Sequence, residues 1–203
     1  MIAIIDYDMG NVKSVYNAIE YIGHDSIITS DAREIDKADR IILPGVGAFG
    51  DAMNNLKKRG LVEILNKQVL EKKKPILGIC LGLQLMAKSS EEHGIHRGLG
   101  WLDAEVVKFR LEKTGLKVPH VGWNNVEVKD PILFKGLAGE QINFYFVHSF
   151  HIVCNDKKNI TATCRYGIEF TSAIHKENIF ATQFHPEKSQ DSGLKVLENF
   201  INY

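Results

Sequence analysis

Two short segments of this sequence hold residues whose types and spacing could do chemistry together. The first is Gly78-Ile79-Cys80-Leu81-Gly82. It has the form G-x-nucleophile-x-G where an apolar strand pattern meets a helix pattern. A cysteine on such a turn sits at the C-terminal edge of a sheet, and its flanking glycines let neighbouring chains approach without a Cβ clash. The adjacent helix N-terminus favours thiolate over thiol, and the N–H of Leu81 points where an oxyanion would form. The second segment is Gln183-Phe184-His185-Pro186-Glu187. In an extended chain, residues i and i+2 face one side, so Glu187 can orient and charge His185, with Pro186 stiffening the link. Cys80, His185 and Glu187 then supply a nucleophile, a base and an orienter, the general logic of acyl transfer. Each segment alone has a plainer reading: a buried thiol in a glycine-rich crossing, or a surface loop. Their joint occurrence is harder to dismiss.

A third segment, Pro44-Gly45-Val46-Gly47-Ala48-Phe49-Gly50, imitates the G-x-G-x-x-G dinucleotide fingerprint. It follows the second candidate strand rather than the first, and the acids downstream of it, Glu63 and Glu71, fall on a helix pattern. Backbone donors for a substrate oxyanion fit it better. One such donor can lower a barrier by roughly 2.7–4 kcal/mol. His93 and His96, and His148 and His151, have i, i+3 spacing without patterned carboxylate or cysteine partners, so no metal site is expected. No cofactor is expected either. Cys154 and Cys164 fall in strand-like stretches and read as bystander thiols.

The elements that must position these residues change character midway. Ile2–Ile5, Ile41–Leu43 and Pro75–Ile79 are short, continuously apolar runs, as buried parallel strands are. Between them lie helical patterns over Asn11–Ile22, with Asn11 as N-cap and Gly23 past the end, over Asp51–Lys58 and over Leu61–Lys73. This predicts βαβ units in a parallel sheet. The second half shows short strand-like stretches: Ala104–Phe109, Val126–Val128, Asn143–Val147, Ile160–Cys164, Phe170–Ile174 and Ile179–Gln183. These predict antiparallel or mixed strands added to the core. Leu194, Leu197, Phe200 and Ile201 mark a closing amphipathic helix. The expected class is α/β, an open, mainly parallel sheet flanked by helices, in one domain over residues 1–203.

Composition narrows the function classes. The 203 residues carry 25 Lys+Arg and 25 Asp+Glu, a formal net charge of zero, which argues against nucleic acid as the main partner. No apolar run approaches the roughly 18 residues that span a bilayer. Met1–Asp6 has no basic region and does not read as a signal peptide. Three sparse cysteines without C-x-x-C spacing fit a reduced, cytoplasmic chain. Near-zero charge gives little colloidal repulsion, which suits a surface normally covered by a partner.

Taken together, Pro44–Gly47, Gly78–Gln84 and His185–Glu187 resemble the class I glutamine amidotransferases, over nearly the whole chain. Ile4-Ile5-Asp6-Tyr7 with Gly10-Asn11, Leu43–Phe49, Pro119–Asn124 and Tyr145–Ser149 most resemble the branch that serves imidazole glycerol phosphate synthase as glutaminase subunit. The resemblance implies a flavodoxin-like sheet and a Cys80–His185–Glu187 triad that hydrolyses L-glutamine through a glutamyl thioester. It implies that Gln84, Glu92, Ser149 and Phe150 grip the glutamine, with the Gly45–Val46–Gly47 backbone and the Leu81 N–H as oxyanion hole. It further implies docking, as a heterodimer, on a (β/α)8-barrel synthase that consumes the ammonia. Trp123, Tyr145 and Lys188 are the interface or channel-mouth candidates, and Trp123 could equally be a core residue under a loop. A strand at Gly45–Gly47 that must reorient would keep the glutaminase nearly silent until the partner is occupied. Two acceptors remain open: the histidine pathway, and a sugar-modifying enzyme of surface polysaccharide synthesis fed by a paralogous branch. A peptidase or a non-catalytic module on the same fold are the readings from other classes.

Overall fold

The computed structural model describes residues 1–137 and 142–203. Its first half alternates strands and helices: β1 Ile2–Ile5, α1 Val12–Tyr21, β2 Ser26–Thr29, α2 Ala32–Lys37, β3 Arg40–Gly45, α3 Phe49–Lys58, α4 Leu61–Asn66, β4 Ile76–Cys80 and α5 Leu81–Leu85. The second half is strand-rich: β5 Ser89–Ser90, β6 His96–Arg97, β7 Ala104–Lys108, β8 His120–Val128, β9 Asn143–His148, β10 Phe150–Cys154, β11 Ile160–Tyr166, β12 Ile168–Lys176 and β13 Ile179–Thr182. Helix α6, Gln190–Ile201, closes the chain.

Nine strands form one sheet in the order β2-β1-β3-β4-β13-β12-β11-β8-β9. The pairs β1/β2, β1/β3, β3/β4 and β4/β13 are parallel, and every further pair is antiparallel. The expected parallel core with added antiparallel strands is therefore the observed one. A second sheet, β10-β7-β5-β6, packs against it.

The continuous apolar runs are explained by burial on both faces. Ile2 and Ile4 enter one core cluster with α1 residues Val15 and Ile19 and α6 residues Val196, Leu197 and Phe200. Ala3 and Ile5 enter the other, with Phe49, Leu56, Leu65 and Leu83 of α3, α4 and α5. Each fully buried Leu or Ile there contributes about 1.5–3 kcal/mol of transfer free energy. Ala104, Val106 and Ile152 of the second sheet join this latter cluster.

Several elements differ from the sequence reading. β2 is short and only half-buried at the sheet edge, so it lacks the continuous apolar signature. β8 extends back to His120 through polar residues and Gly122, because alternate positions face solvent. The strand-like stretch around Cys154 is β10, which pairs with β7. Beyond Asn66 the helix widens into a π-type turn, Lys67–Glu71. Asn11 is not a side-chain cap: it sits at φ 62° with no capping bond, and its amide is used elsewhere. No described helix is long and apolar enough to cross a membrane.

Candidate active site

The parallel topology sets the site. β3 and β4 run side by side, with Gly45 paired to Cys80 at their C-terminal ends. Such edges are where open α/β sheets bind ligands. Cys80 has φ 53° and ψ −104°, a conformation few non-glycine residues adopt, and α5 starts at the next residue. The turn requires close passage: a Cβ on Gly82 would lie 1.7 Å from the Leu43 carbonyl oxygen. The sharp strand–helix turn expected around Cys80 is present.

His185 and Glu187 follow β13, the strand beside β4. Their contact is direct, with His185 Nδ1 2.7 Å from Glu187 Oε1, and both side chains are buried. The link is not extended, as the spacing suggested. Pro186 opens a short 3₁₀ turn over Pro186–Lys188 that brings the carboxylate back under the ring. The His185 N–H donates to the Tyr145 carbonyl at 2.9 Å, and Ser189 Oγ donates to the His185 carbonyl at 2.6 Å. The backbone of His185 is thus held from β9 and from the start of α6. Burial pulls the His185 pKa down, but the Cys80 sulfur beside it and Glu187 at its other nitrogen outweigh this and hold it well above the ordinary imidazole value. The arrangement favours the imidazolium form of His185 beside the sulfur.

Asn11 carries a role that its sequence context did not reveal. Its amide nitrogen donates to Glu187 Oε1, the oxygen that also takes His185. The left-handed backbone at Asn11 aims it there. Tyr7 is a second such residue. Its hydroxyl is buried and donates to the Pro44 carbonyl at 2.8 Å, which fixes the start of the Gly45–Gly47 segment.

Cys80 opens into a cleft of about 420 Å³. Val46, Gly47, Leu81, Gln84, Glu92, Ser149, Phe150 and Lys188 also line it, so the structure collects every expected substrate-side residue except Gly45, which pairs with Cys80 from β3. Three of them are already engaged. The Val46 N–H donates to the Met9 carbonyl at 3.0 Å, so this backbone donor is turned away from the cleft rather than offered to an oxyanion. Glu92 Oε2 accepts the Phe49 N–H at 2.7 Å, at the start of α3. Gln84 Nε2 donates to the Phe150 carbonyl at 2.9 Å and to Gln183 Oε1 at 3.2 Å. Cys154 and Cys164 stand apart from the cleft lining, and burial pushes their thiols up to about 11 and about 12.

The interface candidates form one exposed group beside the cleft. Trp123 is 47% exposed, which excludes the core reading. Its ring meets Tyr145 edge-on at 6.1 Å, and Lys188 Nζ stands 5.8 Å from the Tyr145 ring centre. Val121, on the same face of β8, is also exposed.

Behind the cleft lie two histidines that share one proton pattern. His148 Nδ1 is 2.8 Å from the Phe150 carbonyl, which can only accept, so that nitrogen carries the hydrogen. His148 Nε2 therefore accepts from His120 Nδ1 at 3.1 Å. Burial lowers the His120 and His148 pKa values to about 4 and about 3, so both rings are neutral in the fold. Unfolded, they take up protons near 6.5. Below that pH the unfolded chain binds more protons, and stability falls as pH drops from about 6.5 toward 4 and then 3, by at most about 1.4 kcal/mol per pH unit for each ring. His185, shifted upward, has its contribution complete below 6.5 and does not oppose this. The urea midpoint is expected to be lower at pH 5 than at pH 7, with a smaller difference in His148→Asn. Equal midpoints at the two pH values would contradict the neutral pair. Among the described residues, no group of three or more His, Cys, Asp or Glu is placed to hold a metal ion.

Comparison with known proteins agrees with this geometry. Residues 3–203 match the family Glutamine amidotransferase class-I. The chain is 53% identical over 201 residues to imidazole glycerol phosphate synthase subunit HisH 2 of Methanococcus maripaludis, covering 99% of this chain and 98% of that one. It is 47% identical over 206 residues to HisH 1 of the same organism, covering 99% and 98%. Among solved structures, that of PurLQS from Thermotoga maritima superposes with a TM-score of 0.75 at 20% identity, covering 100% of this chain and 97% of that one. The sheet order, the sharp turn at Cys80 and the match across almost the full length agree, and the chain belongs to the class-I glutamine amidotransferases.

Proposed function

We propose that the chain is the glutaminase subunit of an imidazole glycerol phosphate synthase, hydrolysing L-glutamine to glutamate and ammonia in the cytoplasm. In this reading residues 1–203 act as one glutaminase domain. The observation that carries it is the buried His185–Glu187 pair at 2.7 Å behind a cysteine held in a strained turn at the cleft. Cys80 Sγ, as thiolate, attacks the side-chain amide carbon of glutamine. His185 Nε2 gives its proton to the leaving nitrogen, and ammonia departs from a glutamyl thioester. Water then attacks the thioester while His185 takes a proton from it. The sulfur leaves as thiolate, and glutamate is released. Glu187 keeps the ring aligned and stabilises its cationic form. Gln84, Glu92, Ser149 and Phe150 grip the zwitterion in this reading, which their place in the cleft lining supports.

The Val46–Met9 bond supports a chain that is slow by itself. The sulfur is in place, but the Val46 N–H must leave Met9 before it can meet an oxyanion. A partner that moves this segment supplies the missing donor. That partner is a (β/α)8-barrel synthase docked on Trp123, Tyr145 and Lys188, into which the ammonia passes. Trp123→Ala is expected to weaken binding of the barrel subunit by about 2 kcal/mol, roughly 30-fold, as truncation of a central aromatic anchor does. Titration calorimetry reads it, and wild-type affinity would remove Trp123 from the interface. The function itself is tested by glutamate release from L-glutamine with the barrel subunit present. No release above the barrel alone would refute it.

A second reading keeps the glutaminase and changes the acceptor to a sugar-modifying enzyme of surface polysaccharide synthesis. The two numbered subunits of Methanococcus maripaludis favour it, because one pathway needs one ammonia source and a second copy is free to serve another. Capture of the partner from the native cells decides: a barrel cyclase supports the first reading, a sugar-modifying enzyme the second.

A further inference from the structure

Gln183 is fully buried between Gln84 and Cys80. Its orientation follows from a single backbone oxygen. The Phe150 carbonyl can only accept, so the Gln84 side-chain atom 2.9 Å from it must be the amide nitrogen. That same nitrogen lies 3.2 Å from Gln183, which must therefore present its oxygen. The other end of the Gln183 amide, 3.7 Å from Cys80 Sγ, is then a donor. His148 Nδ1 fills the second lone pair of the Phe150 carbonyl, so the carbonyl is held from two sides. The chain of constraint runs from β10 through α5 to the end of β13.

We propose that Gln183 is a further catalytic residue, whose amide N–H, aimed at the sulfur by Gln84 and the Phe150 carbonyl, holds and stabilises the Cys80 thiolate. This deepens the glutaminase reading and rests on it for its meaning in turnover. A donor to the charged form favours that form, and a buried donor works against little competition from water. The other charged or titratable groups around the sulfur are His185 with Glu187 behind it, the Tyr7 hydroxyl beyond β1, His148 from β9, and Glu92 and Lys188 in the cleft wall. None of them is removed when Gln183 changes. The effect of its amide can therefore be read separately. Gln84 acts through Gln183 in this scheme and is a positioning residue for the sulfur.

The test uses Gln183→Met, which keeps the length and apolar stem and removes the donor. Alkylation of Cys80 by iodoacetamide across pH reads the thiolate in the isolated chain and needs no glutamine hydrolysis. The midpoint is expected to move up by about one pH unit, the equivalent of a tenfold change. With the barrel subunit present, kcat for glutamate release is expected to fall about tenfold, with KM within twofold. If Gln183→Met does not fold, Gln84→Met leaves Gln183 in place with its amide free to turn, and moves the alkylation midpoint the same way by less. A folded Gln183→Met chain with an unchanged midpoint, or an altered KM at unchanged kcat, overturns the proposal. Failure of the glutaminase reading has a different signature: the wild-type complex releases no glutamate, whatever the alkylation profile shows.

Discussion

Cys80→Ala is expected to leave a folded chain that binds its partner and releases glutamate at least about 10⁴-fold more slowly than wild type, since removing the nucleophile of a triad removes nearly all that the triad supplies. The change removes one sulfur atom from a side chain that is 6% exposed. Lost contacts are the Gln183 amide at 3.7 Å and the Val147 carbonyl at 4.0 Å. Both are long, weak sulfur contacts, so the melting temperature is expected to change little. Alanine meets the same positive φ that cysteine already tolerates. Cys80→Ser is expected to be nearly as inactive. Its hydroxyl is a far weaker nucleophile than sulfur at the same position. An electrophilic glutamine analogue would label wild-type Cys80 and leave both variants unmodified. Turnover surviving in either variant at more than about a hundredth of the wild-type rate would rule out Cys80 as the nucleophile.

What the sequence shows of this site follows from how locally each feature is encoded. The turn around Cys80 is legible because a parallel strand buried on both faces must read as apolar residues, and because its crossing needs Gly82 within a few positions. His185 and Glu187 are legible because a single residue separates them in sequence and one bond joins them in space. Asn11 is different. Its partner Glu187 is 176 residues away, and an asparagine before a helix pattern has a good local explanation as a cap. The local reading was plausible, and the long-range bond prevailed. Gln183 stood in plain view two residues before His185, yet its function depends on which way its amide points. That is set by a carbonyl on β10, which only the fold brings beside Gln84. The state of the Gly45–Gly47 segment was equally hidden, since a backbone N–H turned toward Met9 leaves no trace in residue types. Partly exposed strands such as β2 and β8 escaped for a related reason, because water satisfies the face that would otherwise have to be apolar.

The tightest contact in the site gives the second large prediction. In Gly82→Ala the new Cβ would stand 1.7 Å from the Leu43 carbonyl oxygen and 2.9 Å from its carbon. Both are backbone atoms of β3, and Leu43 is fully buried. No side chain can swing aside to relieve the clash. β3 is hydrogen-bonded to β1 on one side and β4 on the other, so moving it strains two strand pairs. α5 cannot retreat easily either, because Leu81, Leu83 and Leu85 are packed in the core beneath it. The cost is expected to be on the order of 3–5 kcal/mol, at the upper end for single substitutions. For a domain of this size that corresponds to a fall in Tm of roughly 10 °C or more. Gly23→Ala is the useful contrast. It has φ 82° and nothing within 4 Å of the added Cβ. Its cost is therefore backbone strain alone, about 1–2 kcal/mol. The chemistry should follow the packing. Gly45 pairs with Cys80 across the β3/β4 seam that Gly82 permits, so forcing the seam apart displaces the nucleophile relative to His185. Gly82→Ala protein that remains folded is expected to lose glutaminase activity by more than its loss of folded material explains, whereas Gly23→Ala keeps its activity. A Gly82→Ala chain that melts within about 2 °C of wild type would show that β3 and α5 do not meet as closely as this turn requires.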